Sequence, residues 1–273
     1  MPVQQKGNGK IAVVASGGGM SCGYAAGAMV ALAREYGFKE PDFLIAGSGS
    51  TGTFAYYAAK QYDAITRVWT EALAARKFIN RLRLWKIIDV DYLIDVIMKQ
   101  DNPLVLRKVK TSPSELLIAA TNADTGGIVY FSDKEREDEE EIFELLRASK
   151  AMPIAFGKLI AVDGGRYCDS ELSADLRAHI REAVRRGAER IIAINNSVPR
   201  LEASLAMGAW LRLRPAASRA LRSSQGGPHR AACACKRDSG VHASAHQKEH
   251  VGNLRNGVPR HGGAQRDPGF VRH

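Results

Sequence analysis

Short apolar runs alternate with glycine-rich loops and with segments of helical periodicity over the first two hundred residues. An apolar run of four to eight residues indicates a buried strand, whereas apolar residues three or four positions apart indicate a helix packed on one face. The opening order of strand, glycine loop and helix, repeated once, is typical of an α/β protein with a mainly parallel sheet. The predicted strands are Lys10–Ala15, Phe43–Ala46, Glu115–Thr121, Ile128–Ser132, Ile154–Val162 and Arg190–Asn195, and the predicted helices are Tyr24–Tyr36, Thr53–Gln61, Glu141–Lys150 and Ser173–Gly187.

The segment Ala64–Met98 is predicted to be a long amphipathic helix. Its basic residues interleave with apolar ones, as they do in a helix that lies on a membrane surface. The alternative, which we favour, is a helical cover packed over the sheet with its basic face in water. A lid that also touches lipid is compatible with both interpretations. The aromatic and basic residues concerned are Trp69, Phe78, Trp85, Tyr92, Arg76, Lys77, Arg81, Arg83 and Lys86.

The chain changes character after about Leu205, so we divide it into an extension (residues 1–9), one α/β domain (10–204) and a tail (205–273). The tail is rich in Arg, Ala, Ser and Gly, contains six of the seven histidines and has no strand pattern. One interpretation is a disordered basic tail that binds acidic surfaces. The other, which we favour, is translation out of frame, and translating the source DNA in the other two frames tests it.

The net charge of +10 is concentrated in the tail. Residues 1–200 contain 27 Lys and Arg against 25 Asp and Glu, whereas residues 201–273 contain 12 against 4. A nearly neutral body argues against binding to nucleic acid, which requires a basic face. Residues 1–10 lack the apolar core of a signal peptide, and no apolar run reaches the ~18 residues that span a bilayer. A cytoplasmic location is therefore expected, with peripheral contact at the inner membrane surface left open.

The glycine-rich stretch after the strand Phe43–Ala46 is the first candidate for chemistry. A sharp strand-to-helix turn through small residues is the geometry of a nucleophile elbow, which exposes one side chain at a helix N-terminus. Ser50 is the predicted nucleophile, since Gly49 and Gly52 lie beside it, although Ser48 stands where the G-x-S-x-G pattern has its first glycine. A strand-to-helix loop without chemistry is an equally weighted alternative.

A serine nucleophile requires a base, and the candidates are a histidine and an aspartate. His179 is the one histidine within residues 1–200, and its charged neighbours in a predicted helix favour a solvent-facing role. Asp163 is the better candidate because it ends an apolar strand and is followed by Gly164 and Gly165. A partly desolvated carboxylate can take the serine proton. The alternative for Asp163 is a residue of an Asp-Gly turn.

The loop Gly17-Gly18-Gly19 is the predicted oxyanion hole. Glycines allow backbone N–H groups to approach a substrate closely and to point at a developing oxyanion at the start of a helix. Dinucleotide binding is the rival use of such a loop. That fingerprint requires a third glycine where this sequence has Cys22, and a ribose-binding acid after the second strand, which is not evident.

Taken together, these elements resemble the patatin-like phospholipase family. The similarity runs through SGGGM (residues 16–20) with Gly27, GSTG (49–52), LIAATNADTG (117–126), ASKAMPIAF (148–156) and DGG (163–165). The resemblance implies a three-layer α/β/α fold and a Ser-Asp dyad that hydrolyses lipid acyl esters without metal or cofactor. By this match Ser50 is the nucleophile, Asp163 the base, and the amides of Gly17–Gly19 the oxyanion hole.

Three departures from the family pattern qualify this match. Ser21 and Cys22 replace the basic residue and glycine that usually follow the glycine loop, and Ser48 replaces the first glycine of the elbow. The family domain normally continues beyond the point where the tail begins, so the domain is expected to be C-terminally incomplete. A catalytically inactive lipid- or acyl-binding module on the same fold is therefore the alternative function.

Two further patterns suggest other chemistry. Cys22 is a candidate reactive thiol at a helix N-terminus, and a small buried residue is the favoured alternative. In the tail, His246, Glu249 and His250 match the H-x-x-E-H pattern of some zinc peptidases, near Cys233 and Cys235. Such matches arise easily in a histidine-rich segment without periodic structure, so no metal site is predicted.

Overall fold

The computed structural model describes residues 9–74, 77–79, 87–153 and 155–196. Within these ranges seven strands form one sheet, and six α-helices accompany them. The strands are β1 (Lys10–Ala15), β2 (Phe43–Ala46), β3 (Glu115–Asn122), β4 (Ile128–Ser132), β5 (Ile160–Val162), β6 (Gly165–Cys168) and β7 (Ala188–Ile194). The helices are α1 (Gly23–Arg34), α2 (Ser50–Ala58), α3 (Tyr62–Arg67), α4 (Leu106–Lys110), α5 (Glu141–Lys150) and α6 (Leu176–Arg185).

The centre of the sheet is parallel, as predicted. Strand β1 lies between β7 and β2, and β3 follows β2, with all of these pairs parallel. Strands β4 and β6 pair antiparallel with β3, and β5 pairs antiparallel with β6. The carboxyl ends of β1, β2 and β7 therefore meet at one edge of the sheet, where ligands bind in open α/β sheets.

Alternate residues of the central strands face two different helix layers. Val13, Leu44 and Ile118 belong to the larger core, which also contains buried residues of α1, α2, α3 and α5. Ala12, Val14 and Ile45 belong to a second core that contains Ala183 of α6. Since successive side chains of a strand point to opposite faces, the sheet is the middle of three layers. The predicted α/β/α architecture is confirmed.

The segment predicted as one long helix, Ala64–Met98, is interrupted. Helix α3 continues as a π-helical turn, Val68–Ala72, and a second π-helical segment covers Tyr92–Asp101. Between them Ile79 and Ile88 form an antiparallel bridge. Phe78 is buried and Trp69 and Tyr92 pack against the core, in agreement with the interpretation as a packed cover. Trp85, Arg76, Arg81, Arg83 and Lys86 lie outside the described residues.

The remaining differences are two additional elements and a shifted helix start. Strand β6 and helix α4 were not predicted, and α6 begins at Leu176, where Asp175 caps its first turn. The predicted extension, apart from Gly9, and the tail 205–273 with its histidine and cysteine patterns lie outside the described residues. Within the described ranges, no helix is long and apolar enough to cross a bilayer.

Candidate active site

The turn between β2 and α2 contains a strained residue, Ser48. Its φ is +47°, which is uncommon for a residue with a Cβ and costs about 1–3 kcal/mol. Strand β2 ends at Ala46 and α2 begins at Ser50, so Gly47 and Ser48 complete most of the reversal. The prediction placed the nucleophile of the elbow at Ser50, whereas the residue with positive φ is Ser48. The strained position is Ser48, because Ser50 already belongs to the helix.

Gly47 is required by close packing beneath this turn. A Cβ built on Gly47 would lie 2.5 Å from Oγ of Ser170 and 3.0 Å from Nε2 of His179. Distances this short are not observed for real Cβ atoms without a shift of the neighbour. The first glycine of the turn is therefore Gly47, directly before the strained serine.

Ser48 is hydrogen-bonded to Asp169. Its Oγ donates to Oδ2 of Asp169 at 2.8 Å, and both side chains are buried. Asp169 directly follows strand β6, and its Oδ1 accepts the amide of Glu171 at 2.9 Å. Burial raises the pKa of Asp169 to about 6, while the bonds from Glu171 and Ser48 and the charge of Lys150 oppose that rise. A serine and a carboxylate with a raised pKa thus share one short hydrogen bond.

Ser50 has a different environment. It is fully buried, and its Oγ donates to the carbonyl of Ser16 at 2.8 Å. Nδ2 of Asn196 donates to Oγ of Ser50 at 3.0 Å and to the same carbonyl of Ser16 at 2.6 Å. These bonds connect the start of α2 to the ends of β1 and β7.

Asp163 lies at the tip of the β5–β6 hairpin. Its carboxylate accepts two bonds from Nη1 of Arg136, at 3.0 and 2.8 Å, and its side chain is half exposed. No hydrogen bond within the described residues joins it to Ser50. Asp163 and Gly164, both with positive φ, form the tight turn, and Gly165 begins β6. The pairing of Ser50 with Asp163 stays a prediction from the sequence. The alternative interpretation, an Asp-Gly turn, describes this residue.

The glycine loop lies against the β2–α2 turn. A Cβ on Gly49 would be 3.1 Å from the carbonyl of Gly19, and Gly18 and Gly19 both have positive φ. The amide of Gly17 donates to Oε1 of Glu171 at 2.8 Å. Burial, together with the charge of Asp169, raises the pKa of Glu171 to about 7. One of the three predicted oxyanion-hole amides is thus bonded to a carboxylate.

Two other sequence candidates are buried. His179 is fully buried, and its Nδ1 is hydrogen-bonded to the hydroxyl of Tyr130 at 3.0 Å, so its predicted solvent-facing role is wrong. Burial lowers the pKa of His179 to about 4. Cys22 is fully buried, and burial raises the pKa of its thiol to about 12. Cys22 is therefore the small buried residue that the favoured alternative described.

Ser48, Asp169 and Glu171 are not among the residues that the sequence pattern predicts for chemistry. Ser48 was interpreted only as an imperfect glycine of the elbow pattern. Asp169 lacks following glycines, since Ser170 and Glu171 succeed it. The available signal was an aspartate directly after a short strand, which is weaker than an Asp-Gly-Gly turn.

An apolar cavity begins beside this site. It is lined by Gly49 and Gly52 of the turn, by Lys150, and by side chains from the helices and π-helical segments above them, including Tyr56, Trp69 and Met98. Lys150 is the one charged residue among the lining residues that the structure describes. Its free volume is about 20 Å³, which is room for about one water molecule and not for an acyl chain.

The chain matches a known protein family and is similar to solved structures. The family model described as patatin-like phospholipase matches residues 13–180, which is more than half of the chain. No curated protein matches. Among solved structures, VipD from Legionella pneumophila is similar with a TM-score of 0.48 at 11% identity, over 75% of this chain and 53% of that protein. The chain spans about half the length of VipD.

Proposed function

Because the chain belongs to the patatin-like phospholipase family, we propose that it hydrolyses acyl esters of lipids with Ser48 as the nucleophile and Asp169 as the base. The observation that carries this assignment is the 2.8 Å hydrogen bond from Ser48 Oγ to Asp169 Oδ2 at a turn with positive φ. A nucleophile and a base within hydrogen-bond reach are the signature of covalent catalysis. The choice of a lipid acyl ester as the substrate rests on the family match.

The reaction follows from these positions. Ser48 Oγ attacks the ester carbonyl while Asp169 takes its proton, and the carbonyl oxygen becomes an oxyanion. The amides of Gly18 and Gly19 in the loop, and of Gly49 after the nucleophile, would bind that oxyanion. Asp169 then gives the proton to the leaving alcohol, and the acyl group stays on Ser48. Water, deprotonated by Asp169, finally releases the fatty acid and regenerates Ser48.

Labelling with a fluorophosphonate, followed by localisation of the adduct in the tryptic peptide, tests this proposal. Ser48 and Ser50 both lie in the tryptic peptide of residues 40–60, so fragment ions that break the chain between them are needed. We expect the adduct on Ser48, its loss in Ser48→Ala and Asp169→Asn, and its retention in Ser50→Ala. An adduct on Ser50 of the parent protein would overturn the assignment.

A second candidate function, a lipid- or acyl-binding module without turnover, is favoured by one observation. The carboxylate of Glu171 binds the Gly17 amide, and an oxyanion would be repelled by a negative charge there. Vesicles containing a fluorescent fatty acyl lipid distinguish the two functions. Binding without hydrolysis and without an adduct, by protein shown to be folded by circular dichroism, would establish the binding module. Hydrolysis lost in Ser48→Ala would exclude it.

A further inference from the structure

Lys150, the last residue of α5, brings an ammonium group into the buried region beside Ser48. Its side chain is 7% exposed, and its Nζ donates to Oγ1 of Thr51 and to the carbonyl of Leu146, the latter at 3.2 Å. Neither partner is charged. Among the described residues, Lys150 forms no ion pair with a carboxylate within 4.0 Å.

The contrast with Arg147, one turn earlier on α5, shows that this arrangement is unusual. Arg147 is buried to the same extent, and its guanidinium binds Asp91 at 2.6 Å, Asp95 at 2.7 Å and Glu144 at 3.3 Å. Buried charges are normally paired in this way, since an unpaired one costs several kcal/mol. Lys150 therefore destabilises the fold where an apolar side chain of similar length would not.

Lys150 and its neighbour hold the backbone of the strained serine. The hydroxyl of Thr51, which accepts from Lys150, donates to the carbonyl of Ser48 at 2.7 Å. The amide of Ser48 donates to Oγ of Ser149 at 3.0 Å. The end of α5 thus binds the Ser48 amide directly, through Ser149, and the Ser48 carbonyl indirectly, through Lys150 and Thr51. A strained conformation such as that at φ +47° persists only when its surroundings determine it in this way.

The same ammonium group acts on the buried carboxylate. Titratable groups near Asp169 come from three parts of the chain: Lys150 at the end of α5, Cys22 before α1, and Glu171 on the turn that Asp169 begins. Cys22 keeps its proton, because burial raises its thiol pKa to about 12, and Glu171 can be negatively charged. Lys150 is the positive group in this cluster. It favours the charged form of Asp169, and burial lowers its own pKa to about 7.

We propose that Lys150 is a positioning residue for the Ser48–Asp169 pair, which holds the Ser48 turn through Thr51 and supplies the positive charge that favours the carboxylate form of Asp169. The proposal rests on the function proposed above. A family-wide ester-hydrolase mechanism with a Ser-Asp pair does not require this lysine. Its role is a property of the residues around this particular turn.

Replacement of Lys150 with Met, which has similar length and no charge, tests the proposal through the pH profile of kcat/KM on a soluble p-nitrophenyl ester. We expect kcat to fall at least tenfold, and the acid limb to move up by about one pH unit, because loss of a nearby positive charge raises the pKa of Asp169. Thr51→Ala removes the hydroxyl and keeps the ammonium group, so it should lower kcat and leave the acid limb in place.

Arg147→Met is the matched control, since it removes an equally buried cation from the same helix. It should lower the melting temperature without moving the acid limb. Lys150→Gln is the second variant if Lys150→Met does not fold. An acid limb that is unchanged in a folded Lys150 variant would overturn the proposal.

A second readout does not require turnover, so it separates this proposal from the proposed function. The difference in free energy of unfolding between the parent protein and Asp169→Asn follows the titration of Asp169. In the Lys150→Met background, the midpoint of that difference should move to higher pH. An unmoved midpoint contradicts the role of Lys150 even if the protein hydrolyses no ester.

Discussion

The hydroxyl of Ser48 donates a 2.8 Å hydrogen bond to the carboxylate of Asp169, 121 residues further along the chain. Ser48 follows the central strand β2, and Asp169 follows the short strand β6 between β5 and β3, so the contact depends on how the sheet is assembled. Both residues are buried, and Ser48 has a strained backbone. The expected effects of substitutions at the site follow from this pair.

The two aspartates that follow β5 and β6 should respond differently to the same substitution. Asp169→Asn should lower kcat by at least a hundredfold, because a general base typically contributes 10²–10⁴-fold. Asp163→Asn should change kcat less than twofold, since Asp163 pairs with Arg136 at an exposed turn whose positive φ asparagine tolerates. Ester hydrolysis of both variants at saturating substrate checks this. Equal losses of kcat in the two variants would show that Asp163 also takes part in catalysis.

The activity of the parent protein should fall as the pH falls through about 6. Asp169 must be ionised to accept the serine proton, and burial raises its pKa to about 6. The acid limb of kcat/KM should therefore lie near pH 6 instead of near 4, where an ordinary aspartate titrates. The profile is measured on a soluble ester in buffers of constant ionic strength. An acid limb with its midpoint below pH 5 would mean that another group is the base.

Asp169→Asn should stabilise the fold at neutral pH while it removes activity. The folded-state pKa of Asp169 is raised above the value near 3.9 in the unfolded chain. Its proton therefore stabilises the folded state below about pH 4, and this contribution is lost as the pH rises from about 4 to 6. Above pH 6 the asparagine variant should be more stable by about 2–3 kcal/mol.

Chemical denaturation at pH 4, 5, 6 and 8 measures this difference in unfolding free energy. Comparing the two proteins at each pH cancels other titrations, including that of buried His179. His179 alone would destabilise the fold below about pH 6.5, since its folded-state pKa is lowered to about 4. A stability difference that does not depend on pH would show that Asp169 is not titrating in this range.

Removing the charge of Glu171 should activate the enzyme above pH 7. Glu171→Gln keeps an oxygen that can accept from the Gly17 amide and removes the negative charge that repels an oxyanion there. Since the pKa of Glu171 is raised to about 7, kcat/KM of the variant should exceed that of the parent several-fold at pH 8. Near pH 6 the two should be similar. A loss of activity at both pH values would make Glu171 a required group.

A methyl group on Gly47 should disrupt the turn. Gly47→Ala forces its Cβ against Ser170 and His179, so we expect a loss of about 1–3 kcal/mol of stability and a large loss of activity. Gly27→Ala is the matched control. Gly27 lies in α1 with nothing within 4 Å of a Cβ, and alanine there should stabilise the helix by about 1 kcal/mol. Thermal unfolding of the two variants checks the contrast.

Local pattern determined the fold class and most of its elements. The apolar runs Lys10–Ala15 and Phe43–Ala46 and the helix Glu141–Lys150 were predicted with the bounds that the structure has. A continuous apolar run and a periodicity of 3.6 residues are both properties of short segments. The order of these elements also implied a parallel sheet, since strands joined by helices cannot pair as hairpins. The glycine loop and the strand-to-helix turn were likewise visible from composition alone.

The sequence by itself did not determine which serine is strained or which aspartate reaches it. Asp163 was favoured because Gly164 and Gly165 follow it, but glycines mark a turn wherever it lies, and this one is the exposed tip of the β5–β6 hairpin. Asp169 returns to Ser48 only because β6 pairs back onto β3. The burial of His179 on α6 also depends on tertiary packing, since its hydrogen-bond partner Tyr130 lies on β4. Contacts between distant residues depend on how layers pack, and only the tertiary structure decides them.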